Sequence, residues 1–305
     1  MKIGINLPNF GPGMDAQTLL GWARTIEDLG YDLLLVSDHV ALTPDAAGRS
    51  PEPFYEAFTS LAWLAGQTSR IEIGTGVVIM PHRHPVLLAR MGSTLDQLSQ
   101  GRFVLGVGVG WARQGYQALN VPYTSRGRLT DEYLVALRRL WTDGRATFRG
   151  ETVSFTSVHT APMPHRRPTP PIWIGGNSLP AVRRAARHGD AWHPLWPRAD
   201  WLKQVAVPTL RKLTEEEGRP PVQLCPRIQV SLTSEPLPDA TRQTGHGTTD
   251  QLRDDLRTLE AMGCSYVILD TDPGDQRLRG TAQQDWRTLE TIATQVIDLA
   301  THTVR

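Results

Sequence analysis

The sequence predicts a (β/α)8 barrel with an insertion after the fourth strand, and three observations carry that expectation. Short β-rich runs alternate with amphipathic helical segments through all 305 residues, the rhythm of repeated strand–helix units. The runs are apolar on both faces, as strands of a parallel sheet covered on two sides must be. Finally, an open doubly wound sheet would carry a glycine-rich fingerprint after its first strand, and Asn9-Phe10-Gly11-Pro12-Gly13 matches it poorly. The whole chain, 1–305, is expected to be one domain, at the upper end of what a single barrel uses.

The first strand is KIGINLP (2–8), and Asp15 caps the helix after it. That helix carries Leu19, Ala23, Ile26 and Leu29 at helical spacing, with Gly30 as its stop. The second strand is LLLVSDHV (33–40), four apolar residues that run into an aspartate and a histidine. A helix over 57–68 leads to the third strand, IEIGTGVVI (71–79). The next helix shows Leu87, Met91, Leu95 and Leu98 on one side and stops at Gly101, and the fourth strand, RFVLGVGVG, follows directly.

The beat breaks over 114–171. The spacing predicts a helix in GRLTDEYLVALRRLW and a hairpin in ATFRGETVSF with its tip at Arg149-Gly150, followed by a proline-rich return, APMPHRRPTPP. The alternation resumes with PIWIGG and a helix from Leu179 to His188, then DAWHP and a helix from Asp200 to about Glu217. The seventh strand is LCPRIQVSL, followed by a helix with Leu252, Leu256, Leu259 and Met262 that Gly263 ends. The eighth is SYVILD, and Trp286, Leu289, Ile292, Val296 and Leu299 mark the last helix.

Composition narrows the function. Lys and Arg number 32 against 31 Asp and Glu, with no long basic block, so neither nucleic acid nor a membrane surface is expected as a partner. No apolar run is long enough to span a bilayer, and MKIGINLP enters a strand at once, leaving no room for a signal peptide. Cys225 and Cys264 read as two reduced core thiols of a cytoplasmic enzyme.

In a barrel of this kind the chemistry sits at the C-terminal strand ends. Polar and glycine residues gather there: Asn6; Asp38-His39; Met80 and the loop His82-Arg83-His84; Gly108 to Trp111; Gly175-Gly176-Asn177; Trp192-His193; and Asp270. The opposite ends begin with surface residues such as Lys2, Asp32, Arg70 and Arg102. Neighbours on a strand point to opposite sides, so one of Asp38 and His39 can face the lumen while the other braces a loop. A histidine there can exchange a proton with a bound ring or substrate; it can equally be a strand-end hydrogen bond. The segment IGGNSLPAV has the order of a phosphate cradle, strand, glycine pair, cap and helix, and a tight capped turn has the same order. His82 and His84 lack a third ligand at suitable spacing, so no metal is expected. Arg83 reads as an anion contact or its loop as a pocket wall, and Trp192-His193 as a substrate or cofactor wall.

Together, KIGINLPNFG, DLLLVSDHV, IEIGTGVVIMPHRHP, QGRFVLGVGVGW, RGRLTDEYLVALRRLW, PPIWIGGNS and HGDAW resemble the bacterial luciferase-like superfamily of flavin and deazaflavin oxidoreductases. The resemblance covers essentially the full chain, and the order and spacing of the segments make it specific. The SDH motif and the GTGV strand look most like the branch that uses coenzyme F420, a 5-deazaflavin. The resemblance implies that His39, with Asp38, lies at the reactive edge of the ring and that a non-prolyl cis peptide at Gly76-Val77 backs it. It also implies that Gly108, Gly110, Gly175 and Gly176 belong to loops holding the phosphate arm. Asn6, Trp111 and Asn177 on the same rim complete the candidate cofactor set, and His82, Arg83, Trp192 and His193 the candidate substrate pocket. One departure matters. F420-dependent sugar-phosphate dehydrogenases sharing the VSDH string carry a glutamate just after the fourth-strand glycines, where this chain has Trp111. A less polar substrate is expected.

The expected activity is hydride transfer between F420 and a small, fairly apolar organic substrate, preferably reduction of a polarised C=C or C=N bond, with His39 handling the proton. The alternatives are an FMN-dependent monooxygenase of the same fold, which a rim histidine serves equally, and a non-catalytic flavin-binding protein. Members of the superfamily are often dimers; the sequence leaves a homodimer open.

Overall fold

The computed structural model describes residues 1–275 and 279–305. Eight parallel strands form the ring: β1 Lys2–Leu7, β2 Leu33–Val36, β3 Glu72–Thr75, β4 Phe103–Gly108, β5 Ile172–Gly175, β6 Ala191–His193, β7 Arg227–Gln229 and β8 Tyr266–Asp270. From β1 to β6 they pair in chain order, and β8 returns to β1. The ring closes through a split seventh segment. Gln223–Leu224 pairs with β6 and β7 with β8, and between them lies Cys225-Pro226. Proline has no N–H for the ladder, but its carbonyl accepts the Ile268 amide at 2.8 Å and the Cys225 amide still reaches the Trp192 carbonyl at 2.9 Å. The run expected as one strand is thus three short pieces, the last being Ser231–Leu232.

Burial on both strand faces is real. Leu33, Leu35, Val104, Trp173, Ala191, Cys225 and Ile268, from six strand segments, meet inside the barrel. Leu34, Val36, Ile3, Ile5 and Ile73 face the helices. Both cysteines are buried free thiols.

The first helix, Ala16–Leu29, is capped as its sequence implies: Asp15 accepts from the Thr18 amide at 2.7 Å, and Gly30 ends it with φ 98°. The helix expected over 57–68 spans Ala57–Ala65. The helix Pro85–Leu98 differs from expectation in its buried face. Leu95 is buried and Met91 packs against the core as expected, but Leu87 and Leu98 are 54% and 64% exposed, and Leu88, Ala89, Gly92, Ser93 and Asp96 are buried in their place. Trp141 is the reason: a Cβ on Gly92 would stand 2.7 Å from its ring, and its indole N–H donates to the Ala89 carbonyl at 2.9 Å. Small residues make that face because a large one arrives from outside.

The helix Arg126–Thr142 packs between Pro85–Leu98 and Leu179–His188, the place of the fourth crossover helix. The material added to the barrel there is the helix Arg113–Ala118 and the hairpin Ala146–Arg149 with Ser154–Val158. Arg149 pairs with Ser154, so the turn is 150–153: Gly150 of the expected tip is in it and Arg149 is still in the strand. The helix after β6 runs through Ala199–Trp201, a π-type turn at Leu202–Ala206 and Val207–Glu216. No helix among the described residues is long and apolar enough to cross a membrane.

Candidate active site

The third strand is interrupted where the cavity begins. Its ladder stops at Thr75 and resumes at Val78–Ile79 against β4, and the Gly76-Val77 peptide between them is cis. The glycines opposite this interruption are its complement. A Cβ on Gly108 would lie 2.5 Å from Val77 Cγ2, one on Gly175 2.9 Å from Val77 Cγ1, and one on Gly110 2.7 Å from Ile79 Cγ2. Val77 is therefore seated between β4 and β5 in a socket that only residues without a Cβ leave open. Gly108 and Gly175, read from the sequence as part of a phosphate loop, have this steric role in the fold.

Beneath Val77 lies a charged brace. Arg227 donates through Nη1 to the Gly76 carbonyl at 3.0 Å, while Nε and Nη2 reach Asp270 Oδ2 at 2.8 and 2.7 Å. Asp270 also accepts from Trp196 Nε1 at 3.0 Å and from the Asp272 amide at 3.1 Å. Asn6 is fully buried under this floor; its Nδ2 reaches Asp270 at 3.5 Å and its Oδ1 has no partner. Burial and the charge of Asp270 raise the pKa of Asp272.

Asp38 and His39 lie just past the end of β2 and divide their duties. Asp38 accepts both arms of the Arg83 guanidinium, at 2.7 and 2.9 Å, and the Ile79 amide at 2.9 Å. Arg83 also binds Glu56 at 2.7 Å, so the carboxylate ties the β2 loop to the β3 loop. His39 has no protein hydrogen bond among the described residues. Its ring stands edge-on to Phe54 and Trp111, with centroids 5.4 and 6.0 Å away. Burial lowers its pKa below the usual imidazole value, opposed by Asp38 and Asp45.

A cavity of about 800 Å³ opens here and receives residues from all eight strand ends. Of the residues singled out in the sequence, Asp38, His39, Gly76, Val77, Gly108, Gly110, Trp111, Gly175, Gly176 and His193 line it. His193 is buried, its Nδ1 2.6 Å from the Cys225 carbonyl, and burial pulls its pKa down to about 4. A carbonyl can only accept, so Nδ1 carries the hydrogen.

The other five lie off the lining. Asn6 is in the floor. Arg83 is behind Asp38. His82 packs edge-on against Tyr116 with centroids 4.5 Å apart, its nitrogens buried without partners and its pKa held near 4 by burial. The Asn177 amide exchanges two hydrogen bonds with the Leu195 backbone, at 2.7 and 2.8 Å. Trp192, one residue out of phase with His193, is fully buried and donates to the Gly176 carbonyl at 2.9 Å.

Sequence reasoning missed Phe10, Arg49, Trp196, Arg227, Gln229 and Gln243, all on the cavity. A signal existed for Arg227, a lone cation inside the apolar run LCPRIQVSL. For Arg49 and Gln243, in loops, there was none. No group of three or more His, Cys, Asp or Glu side chains among the described residues is placed to hold a metal.

This architecture matches known proteins. An F420-dependent glucose-6-phosphate dehydrogenase from Kineococcus radiotolerans is 29% identical over 240 residues, 76% of this chain and 68% of that enzyme. Among solved structures, a monooxygenase from Streptomyces bottropensis superposes with a TM-score of 0.77 at 21% identity, covering 96% of this chain and 98% of that one. An F420-dependent secondary alcohol dehydrogenase in complex with an F420-acetone adduct gives 0.75 at 18% identity, covering 88% and 92%. Residues 1–244 match the family model described as luciferase-like monooxygenase. The chain belongs to the luciferase-like monooxygenase family.

Proposed function

We propose that the protein is an F420-dependent oxidoreductase that transfers hydride between the deazaflavin and a small, fairly apolar organic substrate, acting as a reductase of a polarised C=C or C=N bond. The observation that carries this reading is His39: an imidazole on the cavity wall, free of protein hydrogen bonds among the described residues and framed by two aromatic rings. The preference for F420 over FMN rests on the SDH and GTGV segments and on the F420-dependent relative.

The cavity residues fit a flat tricyclic group. The volume lies within the range of cofactor sites. Glycines on β4 and β5 draw the Val77 side chain into the wall, leaving a low floor. Gly76, Val77 and Trp111 would hold the ring. Gly110 and Gly176, with φ of 66° and 110°, would present backbone to the phosphate arm. When bound, F420 supplies a carbon centre that passes hydride and has no useful reaction with oxygen.

The chain's own residues then have separate tasks. His39 exchanges the accompanying proton with the substrate. Asp38, saturated by Arg83 and the Ile79 amide, holds the β2 and β3 loops at fixed separation. Phe10, Phe54 and Trp111 keep water from the reacting atoms. Trp111 gives the substrate side an aromatic surface in place of an acid, which favours a less polar partner.

A second reading, an FMN-dependent monooxygenase, is favoured by the family's own description, and the same cavity would serve it. Titrating the purified protein with F420 and with FMN, under air and without it, separates the two. Preferential F420 uptake with oxygen-independent turnover is expected. Exclusive FMN uptake with oxygen-dependent turnover would overturn the proposal, and uptake without turnover would leave a flavin-binding protein.

A further inference from the structure

We infer that the Trp111 side of the mouth is an anion subsite, in which Arg49 receives a carboxylate, sulfonate or phosphate group of the organic reactant while the reactant's apolar body lies on the Trp111–His39 wall. The inference rests on reading this mouth as the reaction site.

The Arg49 guanidinium lies over the Trp111 ring, 5.4 Å from its centroid, and lines the cavity. Trp111 is 43% exposed, a large apolar surface left open at the mouth. Its ring meets His39 edge-on, so the guanidinium stands one aromatic ring from the imidazole.

The loop that carries Arg49 is fastened at several points. The amides of Arg49 and Ser50 donate to the Ala46 carbonyl at 3.0 and 2.9 Å. Asp45 and Gln114 exchange two hydrogen bonds, at 3.3 and 3.0 Å, which tie this loop to the helix just after Trp111. The Gly11 amide donates to the Pro53 carbonyl at 2.7 Å on the far side of the loop. Arg49 is thus presented from anchored backbone.

Charge accounting gives the ligand's sign. Asp38 is paired with Arg83. Asp45 is hydrogen-bonded to the Thr43 hydroxyl and the Gln114 amide and keeps its charge, but it makes no ion pair with Arg49. Asp272 and Asp275, also on the lining, belong to the loop after β8 and make none with Arg49 either. Arg227, the other arginine among the described residues of the cavity lining, is matched by Asp270. Arg49 has no carboxylate partner within 4.0 Å among the described residues. It combines a positive charge in no ion pair with a planar fork of donors, the geometry that receives carboxylate or phosphate oxygens in pairs. A cationic reactant would be repelled there and a neutral one would leave the charge unused. Both F420 and FMN carry a phosphate that could supply the anion. The position one ring from His39, which handles the reactant's proton, commits the site to the reactant.

The test uses two fluorescent probes of similar apolar body, 8-anilinonaphthalene-1-sulfonate and neutral N-phenyl-1-naphthylamine, titrated into the folded protein, with F420 and FMN titrated separately. Arg49→Gln is expected to weaken sulfonate binding roughly 5- to 20-fold, the range of a charge-assisted contact at a partly exposed site. It should leave the neutral amine, F420 and FMN unchanged. Arg49→Lys should fall between, since an ammonium keeps the charge without the fork. Equal sulfonate affinity in wild type and Arg49→Gln overturns the inference. Loss of F420 or FMN affinity in Arg49→Gln assigns the anion to the cofactor and overturns the reactant assignment. If the wild type takes up neither cofactor, the proposed function fails, and the sulfonate comparison, which needs no cofactor, still decides the subsite.

Discussion

Adding one methyl group at Gly108 probes how the cavity floor is held. In Gly108→Ala the new Cβ would stand 2.5 Å from Val77 Cγ2, an ångström or more inside ordinary carbon–carbon contact at ~3.5–4.0 Å. Val77 has little room to move, because its side chain already lies close against the Gly106 and Gly175 backbone on the other side, and a β-branched side chain has few χ1 choices. Overpacking of this kind costs about 1–3 kcal/mol. Val77→Ala alone removes two methyls from a cavity wall and should cost about 1 kcal/mol or less. In the double variant the clash is absent, so the losses should fail to add by at least ~1 kcal/mol in the favourable direction. Urea unfolding of the four proteins measures this cycle, and F420 titration follows the floor in parallel: affinity should drop in Gly108→Ala and return in the double variant. Strictly additive stabilities, or a Gly108→Ala protein as stable as wild type, would refute the socket.

Four further outcomes follow from the site. Asp38→Asn breaks a buried ion pair and should cost about 3 kcal/mol in urea unfolding, the low end for such a break, because Arg83 keeps Glu56. His39→Ala should slow turnover by roughly 10²–10⁴ while cofactor affinity holds; unchanged turnover removes His39 from the proton step. Since burial lowers the His39 pKa, its charged form is scarce at neutral pH. Reductive kcat/KM should rise as pH falls below the usual imidazole range, and the rise should vanish in His39→Ala. His193 is 3% exposed and has its pKa depressed to about 4. The unfolded chain protonates first, so its contribution is complete above ~6.5 and is lost as pH falls toward 4, about 3 kcal/mol in all. His82 and His188 act in the same direction, so the comparison with His193→Gln isolates this share of the acid-unfolding curve.

The strand–helix alternation was readable because burial on both strand faces and helical spacing are local properties of the chain. Asp38-His39 stood out for the same reason, two polar groups at the end of LLLV. Which of them braces was not local: Asp38 is occupied by Arg83, 45 positions away. What the glycines of GVGVG pack against was not local either: Gly108 faces Val77 and Gly110 faces Ile79, both on the neighbouring strand, a relation set by strand register. The Leu87–Leu98 stripe held at Met91 and Leu95 and failed at Leu87 and Leu98, because hydrophobic spacing marks a face without saying what packs on it; Trp141 selected the side with Gly92. LCPRIQVSL hid both its break and Arg227, since the proline interrupts only backbone pairing while the apolar run continues around it.

The central claim is that a tricyclic redox ring lies on Val77 beside His39, and a crystal structure of the protein grown with F420 tests it most directly. The account predicts the ring on the Gly76-Val77 floor, with the His39 imidazole in contact with its edge. A deazaflavin bound anywhere else on the molecule would contradict it.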